Sequence, residues 1–185
     1  MERFARIVVG YHGCELKLAD GLLTGKIPLA DWNKSENAYD WLGEGIYFWE
    51  HSPTRALRWA TERFKRRAAL IGAVIQLGTC FDLLDEKITT LLARSYPKLA
   101  ASYEAAGKPL PVNKGKDKKL RELDCAVINE CVYRVGLHQH SFDTVRGAFL
   151  EGPPIFAGTT ISAETHIQIA VRNLDCILGV FRPNL

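Results

Sequence analysis

The sequence predicts a single mixed α/β domain that spans residues 1–185. Three observations predict this class. The chain has 185 residues, of which 47% are hydrophobic, and this is the size of one domain with its own core. Short β-branched runs bounded by glycine are typical of strands. They alternate with longer runs in which apolar residues recur every three or four positions, as in amphipathic helices.

The first element is a predicted strand over residues 6–11, a short β-branched run. It leads directly into His12 and Gly13, so the strand is expected to end at a turn or at a site. Residues 19–37 alternate small apolar groups with glycine and proline. We expect at most a short helix there.

The next predicted strand, residues 46–49, follows two closely spaced glycines, Gly43 and Gly45. Such glycines are typical of a loop whose backbone approaches a ligand before the chain enters a strand. Ser52 and Pro53 then predict the start of a helix, because serine can cap free N–H groups and proline fits the first helical position.

The middle of the chain continues this alternation of elements. The spacing of Ala56, Ala60 and Phe64 gives the first helix a buried stripe. Residues 72–78 are predicted to form a strand bounded by glycines. Residues 81–85 either continue this strand or begin the next turn.

Two more helices and three strands complete the prediction. Helical spacing extends over residues 86–106, where Pro97 is expected to interrupt or kink the helix, and again over residues 120–135. The remaining β-prone runs, separated by a Gly-Pro-Pro turn, are residues 142–149, 165–171 and 176–181.

The charge of the chain limits the classes of partner. The formal net charge is only +3, so the total does not demand a polyanionic partner. Two clusters of basic residues stand out. They indicate either solvent-exposed charge at the end of a helix and in a loop, or a surface that binds a phosphate-bearing partner. The clusters are Arg63, Lys65, Arg66 and Arg67, and Lys108, Lys114, Lys116, Lys118 and Lys119.

Neither a metal site nor a membrane span is predicted. The five cysteines include no Cys-x-x-Cys pair, so we expect free thiols packed as small hydrophobes. His138 and His140 lie two positions apart but have no obvious third ligand. No apolar run approaches the roughly 20 residues of a membrane span, and the expected location is the cytoplasm.

Three short motifs together resemble the ADP-ribosyltransferase superfamily. Residues 11–13 (Tyr-His-Gly) resemble the His-Gly motif of its poly(ADP-ribose) polymerase and diphtheria-toxin-like branch, which is known for a His, Tyr, Glu triad. Residues 42–48 resemble that branch's Gly-x-Gly-Ile-Tyr-Phe segment, and residues 164–168 its last catalytic strand. The resemblance covers about residues 7–83 and 155–181, in the family's order.

The resemblance implies a fold, a substrate and a set of binding residues. The fold would be an ADP-ribosyltransferase-like α+β fold with two small, mostly antiparallel sheets, a split β core flanked by helices, and an NAD+ cleft between the sheets. His12 would bind the adenosine ribose, and the Gly13 backbone would bind the nicotinamide amide. Tyr47 would stack on the nicotinamide and Trp59 would cover its opposite face. Ser52, the small residue at the start of the following helix, is a further candidate for NAD+ contact.

The third catalytic position departs from the family's glutamate. Period-two alternation places Glu164, His166 and Gln168 on one face of the last catalytic strand. Aligning the strand by its apolar residues favours Gln168, whereas Glu164 has the expected chemistry. A glutamine can bind ribose hydroxyls but cannot accept a proton or supply a negative charge, so a mono-transferase is expected rather than a chain-elongating enzyme.

The resemblance also implies a biological role. We expect an NAD+-dependent mono-ADP-ribosyltransferase that needs no metal and acts as an intracellular toxin or phage-defence effector, with an antitoxin protein as partner. The expected acceptor is RNA or single-stranded DNA, whose bases could stack on Trp41 or Trp49. A protein acceptor, an RNA 2′-phosphotransferase and an inactive NAD+ or ADP-ribose sensor module are the alternatives.

Overall fold

The computed structural model describes residues 4–138 and 141–184, which contain seven strands and four α-helices. The strands are β1 (Phe4–Glu15), β2 (Ile46–Glu50), β3 (Ala68–Gly78), β4 (Cys80–Asp82), β5 (Thr144–Phe149), β6 (His166–Val171) and β7 (Ile177–Phe181). The helices are α1 (Leu16–Leu23), α2 (Pro53–Phe64), α3 (Glu86–Ala105) and α4 (Glu122–His138). The mixed α/β class is therefore confirmed.

All seven strands belong to one sheet, in the order β4-β5-β6-β2-β1-β3-β7. The resemblance implied two sheets instead. β1 and β2 join the two halves through two residue pairs, Gly10 with Glu50 and Tyr11 with Trp49. Neighbouring strands are antiparallel except β4 and β5, which are parallel. β1 pairs with β3 along nearly its whole length, so its contact with β2 is much the shorter of the two.

The helices cover the sheet in separate places. α1 packs Ala19 and Leu22 into an apolar cluster with the buried side chains Phe48 and Ile75. α3 and α4 cover the β4-β5-β6 half through a second cluster that includes Ile88 and Ile128. α2 contributes Ala56 to a third cluster with Trp49 and Leu70. This packing leaves the region beside the β1–β2 junction bordered by α2.

The expected side-chain cap of α2 is wrong, and the expected interruption of the helix at Pro97 does not occur. Pro53 does occupy the first turn of α2, but Ser52 makes no side-chain capping hydrogen bond; its backbone carbonyl instead accepts from Ala56 N at 3.2 Å. α3 continues through Pro97 rather than ending there. A proline removes one backbone donor, and the packing of Ile88 and Leu99 on either side stabilises the continuous helix.

The remaining general predictions have mixed outcomes. All five cysteines are buried and free, which confirms that they pack as small hydrophobes. None of the helices in the described part of the chain is long and apolar enough to cross a membrane. Likewise, residues 4–138 and 141–184 contain no group of three metal-binding side chains. His140 lies outside the described residues, as does the side chain of His138.

Candidate functional site

A cavity of about 550 Å³ opens beside the point where β1 and β2 separate. It brings together five of the seven residues that the resemblance assigns to catalysis or NAD+ contact. These are His12, Gly13, Tyr47, Trp59 and Gln168. Ser52 and Glu164 do not line this cavity.

His12 bridges the two diverging strands. Its Nδ1 lies 2.7 Å from the backbone carbonyl of Tyr47, just beyond the last pair of β1 and β2, Tyr11 with Trp49. Because a carbonyl can only accept, Nδ1 carries the proton and Nε2 is left as an acceptor. The ring packs edge-on against Trp32, with 5.0 Å between ring centres. Burial lowers the pKa of His12 to about 4, although the bond to the Tyr47 carbonyl opposes that shift.

The buried state of His12 predicts a pH-dependent stability. Between pH 6.5 and about 4 the unfolded chain binds a proton at this histidine and the folded chain does not. The free energy of unfolding should therefore fall by up to about 3 kcal/mol as the pH drops through this range. Urea unfolding at several pH values measures the effect. His12→Asn should show a smaller loss on acidification, and an identical pH dependence in both proteins would contradict the prediction.

Gly13 is required by helix packing. A Cβ built on it would lie 2.4 Å from the carbonyl oxygen of Ala56 and 3.0 Å from the Cβ of Ala60, both on α2. The resemblance implied that this glycine allows the close approach of a ligand. The structure supplies a different reason, since the added atom would meet the helix and not the cavity.

Gly13→Ala should therefore destabilise the fold even without a ligand. We expect a loss of about 1–3 kcal/mol in the free energy of unfolding, the usual cost of overpacking a rigid contact. Chemical denaturation without NAD+ measures it. Gly179→Ala is the matched control, because a Cβ at that strand glycine meets no heavy atom within 4 Å. Equal stability of the two variants would contradict this account of Gly13.

The hydroxyl of Tyr47 is already engaged within the protein. It donates to the Gly43 carbonyl at 2.6 Å and accepts from the Leu42 backbone N–H at 2.8 Å. Burial and the nearby Asp40 carboxylate raise the pKa of this phenol well above its usual value. The group therefore remains neutral, and what Tyr47 can offer a ligand is its ring.

The turn that holds Tyr47 is fixed from outside the motif. The side-chain oxygen of Asn129 accepts from the Glu44 backbone N–H and from Arg172, both at 3.0 Å. Arg172 also binds the Glu44 carboxylate at 2.8 Å. Gly43 has φ +77°, and a Cβ there would lie 2.3 Å from the same Asn129 oxygen. The Gly-x-Gly segment of residues 42–48 is thus held in place before any ligand binds.

Tryptophans form the wall of the cavity nearest α2. Trp59 lies 5.7 Å from Trp49, measured between ring centres, and the Arg63 guanidinium lies 5.6 Å from the Trp59 ring. Trp49 also lines the cavity, but it is 5% exposed and packs against Ala56 of α2, so little of its ring is open for the expected stacking of bases. Its indole N–H has no hydrogen-bond partner within the described residues. Trp59 remains a candidate for ring stacking.

His166 orients the amide of Gln168. His166 Nδ1 lies 2.7 Å from the Glu164 carbonyl and therefore donates to it, which leaves Nε2 as an acceptor. Gln168 Nε2 is 3.1 Å from that nitrogen and donates to it. The glutamine oxygen is consequently the polar atom left for another partner. Burial lowers the pKa of His166, so the imidazole stays neutral and the arrangement holds at neutral pH.

Glu164 has a different environment from Gln168. Its carboxylate lies 3.0 Å from Arg58 and 3.9 Å from Arg55, two side chains of α2. It lines a second cavity, next to the first, rather than the one that contains Tyr47. Of the two candidates for the third catalytic position, Gln168 is the one that lines the same cavity as His12 and Tyr47.

Glu151 is a carboxylate that the sequence analysis missed. It follows β5, is 9% exposed, and lines both cavities. Its oxygens bind Arg55 at 3.0 Å and Lys119 at 3.1 Å, and one of them lies 3.7 Å from His166 Nδ1. The sequence offered one weak signal, an acidic residue placed directly between a predicted strand and a Gly-Pro-Pro turn.

The two basic clusters reach the cavity at one residue each. Arg63 and Lys119 line it, while the other members are exposed. Arg67 pairs with Glu15 at 2.5 Å, and Lys114 pairs with Glu122 at 2.9 Å. The clusters therefore combine surface ion pairs with positive charge at the cavity.

Comparison of the chain with protein-family models, curated proteins and solved structures finds no match.

Proposed function

We propose that this chain is an NAD+-dependent mono-ADP-ribosyltransferase. It would break the bond between nicotinamide and ribose and transfer ADP-ribose to a macromolecular acceptor. The observation that carries the proposal is the convergence of His12, Gly13, Tyr47, Trp59 and Gln168 on one cavity. These residues come from β1, β2, α2 and β6, elements that lie far apart in the chain.

The cavity has the chemical groups that NAD+ requires. A volume of about 550 Å³ is within the usual range for a small-molecule site. The aromatic faces of Tyr47 and Trp59 suit the nicotinamide ring. Lys34 and Arg63 in the lining provide positive charge for the diphosphate.

The bond cleavage requires little proton transfer. Nicotinamide carries a positive charge in NAD+ and leaves as a neutral base, while positive charge develops on the ribose. The Tyr47 ring would hold the leaving group, and the Gln168 oxygen would accept a hydrogen bond from a ribose hydroxyl. His12 would use its free Nε2 to accept from the adenosine ribose. These fixed dipoles stabilise the charged transition state without rearranging during the reaction.

A nucleic acid is the acceptor that we favour. Arg63 and Lys119 place the ends of both basic clusters at the cavity. Lysine and arginine that contact phosphates release counterions, so activity on RNA or single-stranded DNA should fall steeply as salt increases. An enzyme with such an acceptor would damage its own cell. A toxin or defence role with a neutralising antitoxin partner therefore belongs to the same proposal.

The experiment offers labelled NAD+ simultaneously to RNA, single-stranded DNA and a protein extract. The proposal expects nuclease-sensitive label that decreases with salt and is unaffected by a chelator. Label found only on protein would refute the nucleic-acid acceptor and favour a protein-modifying transferase. Binding of NAD+ without nicotinamide release would refute the enzyme and favour a sensor module.

A further inference from the structure

A second cavity of about 500 Å³ adjoins the first. The two share Trp41, Lys119 and Glu151 in their linings. The second is otherwise bordered by side chains from the segments before α4 and around the β5–β6 connection. These residues are Asp117, Arg121, Leu150, Gly152, Pro153 and Glu164.

Glu151 is held firmly where the cavities meet. Arg55 of α2 and Lys119, from the segment before α4, bind its two oxygens at 3.0 and 3.1 Å. Its backbone carbonyl accepts from Glu164 N at 2.9 Å. The next residue, Gly152, has φ +79°, and a Cβ there would lie 2.7 Å from Glu164 Cγ. The backbone at Glu151 and at the residue after it is thus packed against Glu164.

The charge of Glu151 is maintained by its neighbours. Burial alone would raise the pKa of this carboxyl, but Lys119 and Arg55 outweigh it and lower the pKa below its usual value. The group is therefore a carboxylate at neutral pH. Each oxygen has more than one lone pair, so it can accept a further hydrogen bond beside its ion pair.

The second cavity has the features of a nucleotide site. Trp41 borders this cavity, and the Arg121 guanidinium covers one face of its ring, 4.2 Å from the ring centre. Lys119 and Arg121 supply positive charge for a phosphate. Glu151 and Glu164 supply acceptors for the N–H or O–H groups of a base or sugar.

We propose that the second cavity binds a nucleotide unit of the acceptor and that Glu151, in the shared wall, takes the proton from its attacking O–H or N–H group. This inference rests on the proposed function. The acceptor atom forms a bond to the ribose carbon as the bond from that carbon to nicotinamide breaks. The electron pair of the broken bond leaves with neutral nicotinamide, and the acceptor's proton passes to the Glu151 carboxylate. Glu151 thereby provides the negative charge that Gln168 lacks.

The first test compares Glu151→Gln with the wild-type protein. Loss of a general base lowers kcat by about 10²-fold or more. NAD+ affinity, measured by titration calorimetry, should stay close to wild type, and Glu151→Asp should retain more activity than Glu151→Gln. Glu130→Gln is the matched control, because it removes a carboxylate on α4 that lines neither cavity. Wild-type kcat in folded Glu151→Gln would overturn the assignment.

The second test does not depend on the stability of Glu151 variants. Leu150 borders the second cavity and is 75% exposed, so Leu150→Trp should fold normally while narrowing that cavity. The KM for an oligonucleotide acceptor should rise, with NAD+ affinity unchanged. An unchanged acceptor KM would overturn the subsite. If wild-type protein neither binds NAD+ nor releases nicotinamide, the proposed function itself fails, an outcome distinct from both of these.

Discussion

Tyr47→Ala is expected to lower ADP-ribosyl transfer by about 10²-fold or more, the size of the loss when a positioned transition-state contact is removed. The ring lines the cavity and its hydroxyl is bound by Gly43 and Leu42, so the side chain is fixed before substrate arrives. Initial rates of nicotinamide release measure the effect. Because Tyr47 is partly buried, thermal unfolding of each variant must show that it is folded at the assay temperature.

Tyr47→Phe is the control that separates ring from hydroxyl. It keeps the stacking face and removes the two hydrogen bonds to the turn. The account expects Tyr47→Phe to retain most of the activity. If phenylalanine and alanine are equally damaging in folded protein, the ring does not carry the function.

His12→Ala should cause a loss similar to that of Tyr47→Ala. The imidazole bridges β1 and β2 through the Tyr47 carbonyl, so its removal affects both the expected ribose contact and the shape of the cavity. The KM for NAD+ should rise as kcat falls. An active variant with unchanged KM would exclude a role for His12 in NAD+ binding.

Gln168→Ala is expected to lower transfer activity much more than Glu164→Ala does. Gln168 is 8% exposed in the first cavity, with its amide oriented by His166. Glu164 is paired with Arg58 and lines the neighbouring cavity. We expect a loss of about 10²-fold in kcat for Gln168→Ala, with a smaller loss for Glu164→Ala.

The comparison needs variants of similar stability. Gln168 is a buried strand residue, so Gln168→Met, which keeps the volume but removes the amide, is a suitable second variant. Loss of activity in Gln168→Met together with normal unfolding would support the catalytic role. Abolished activity in Glu164→Ala with normal activity in Gln168→Ala would show that the alignment of β6 by its apolar residues is wrong.

Local sequence signals were sufficient to predict the order of elements. Glycine-bounded, β-branched runs predicted β2 and β3, and Pro53 predicted the first turn of α2, because these signals act within a few residues. The single sheet could not be predicted. It depends on pairing between Gly10 and Glu50, and between Tyr11 and Trp49, which the sequence does not encode locally.

The candidate site shows the same limit. His12, Tyr47 and Gln168 line one cavity, and the roles that the motifs imply for them stay predictions. Glu151 was not found because its burial depends on Arg55, 96 residues earlier in the chain, and on Lys119 from the lysine-rich segment. The role of His166 likewise follows from a hydrogen bond to Gln168 that strand alternation alone does not specify.

Nicotinamide release is the most direct measurement of the central claim. Purified protein is incubated with NAD+ labelled in the adenosine part and with single-stranded nucleic acid, and free nicotinamide and acceptor-bound label are measured together. The account predicts that both increase in equal amounts and that both are lost in folded Tyr47→Ala. Absence of NAD+ binding and of nicotinamide release in the wild-type protein would contradict it.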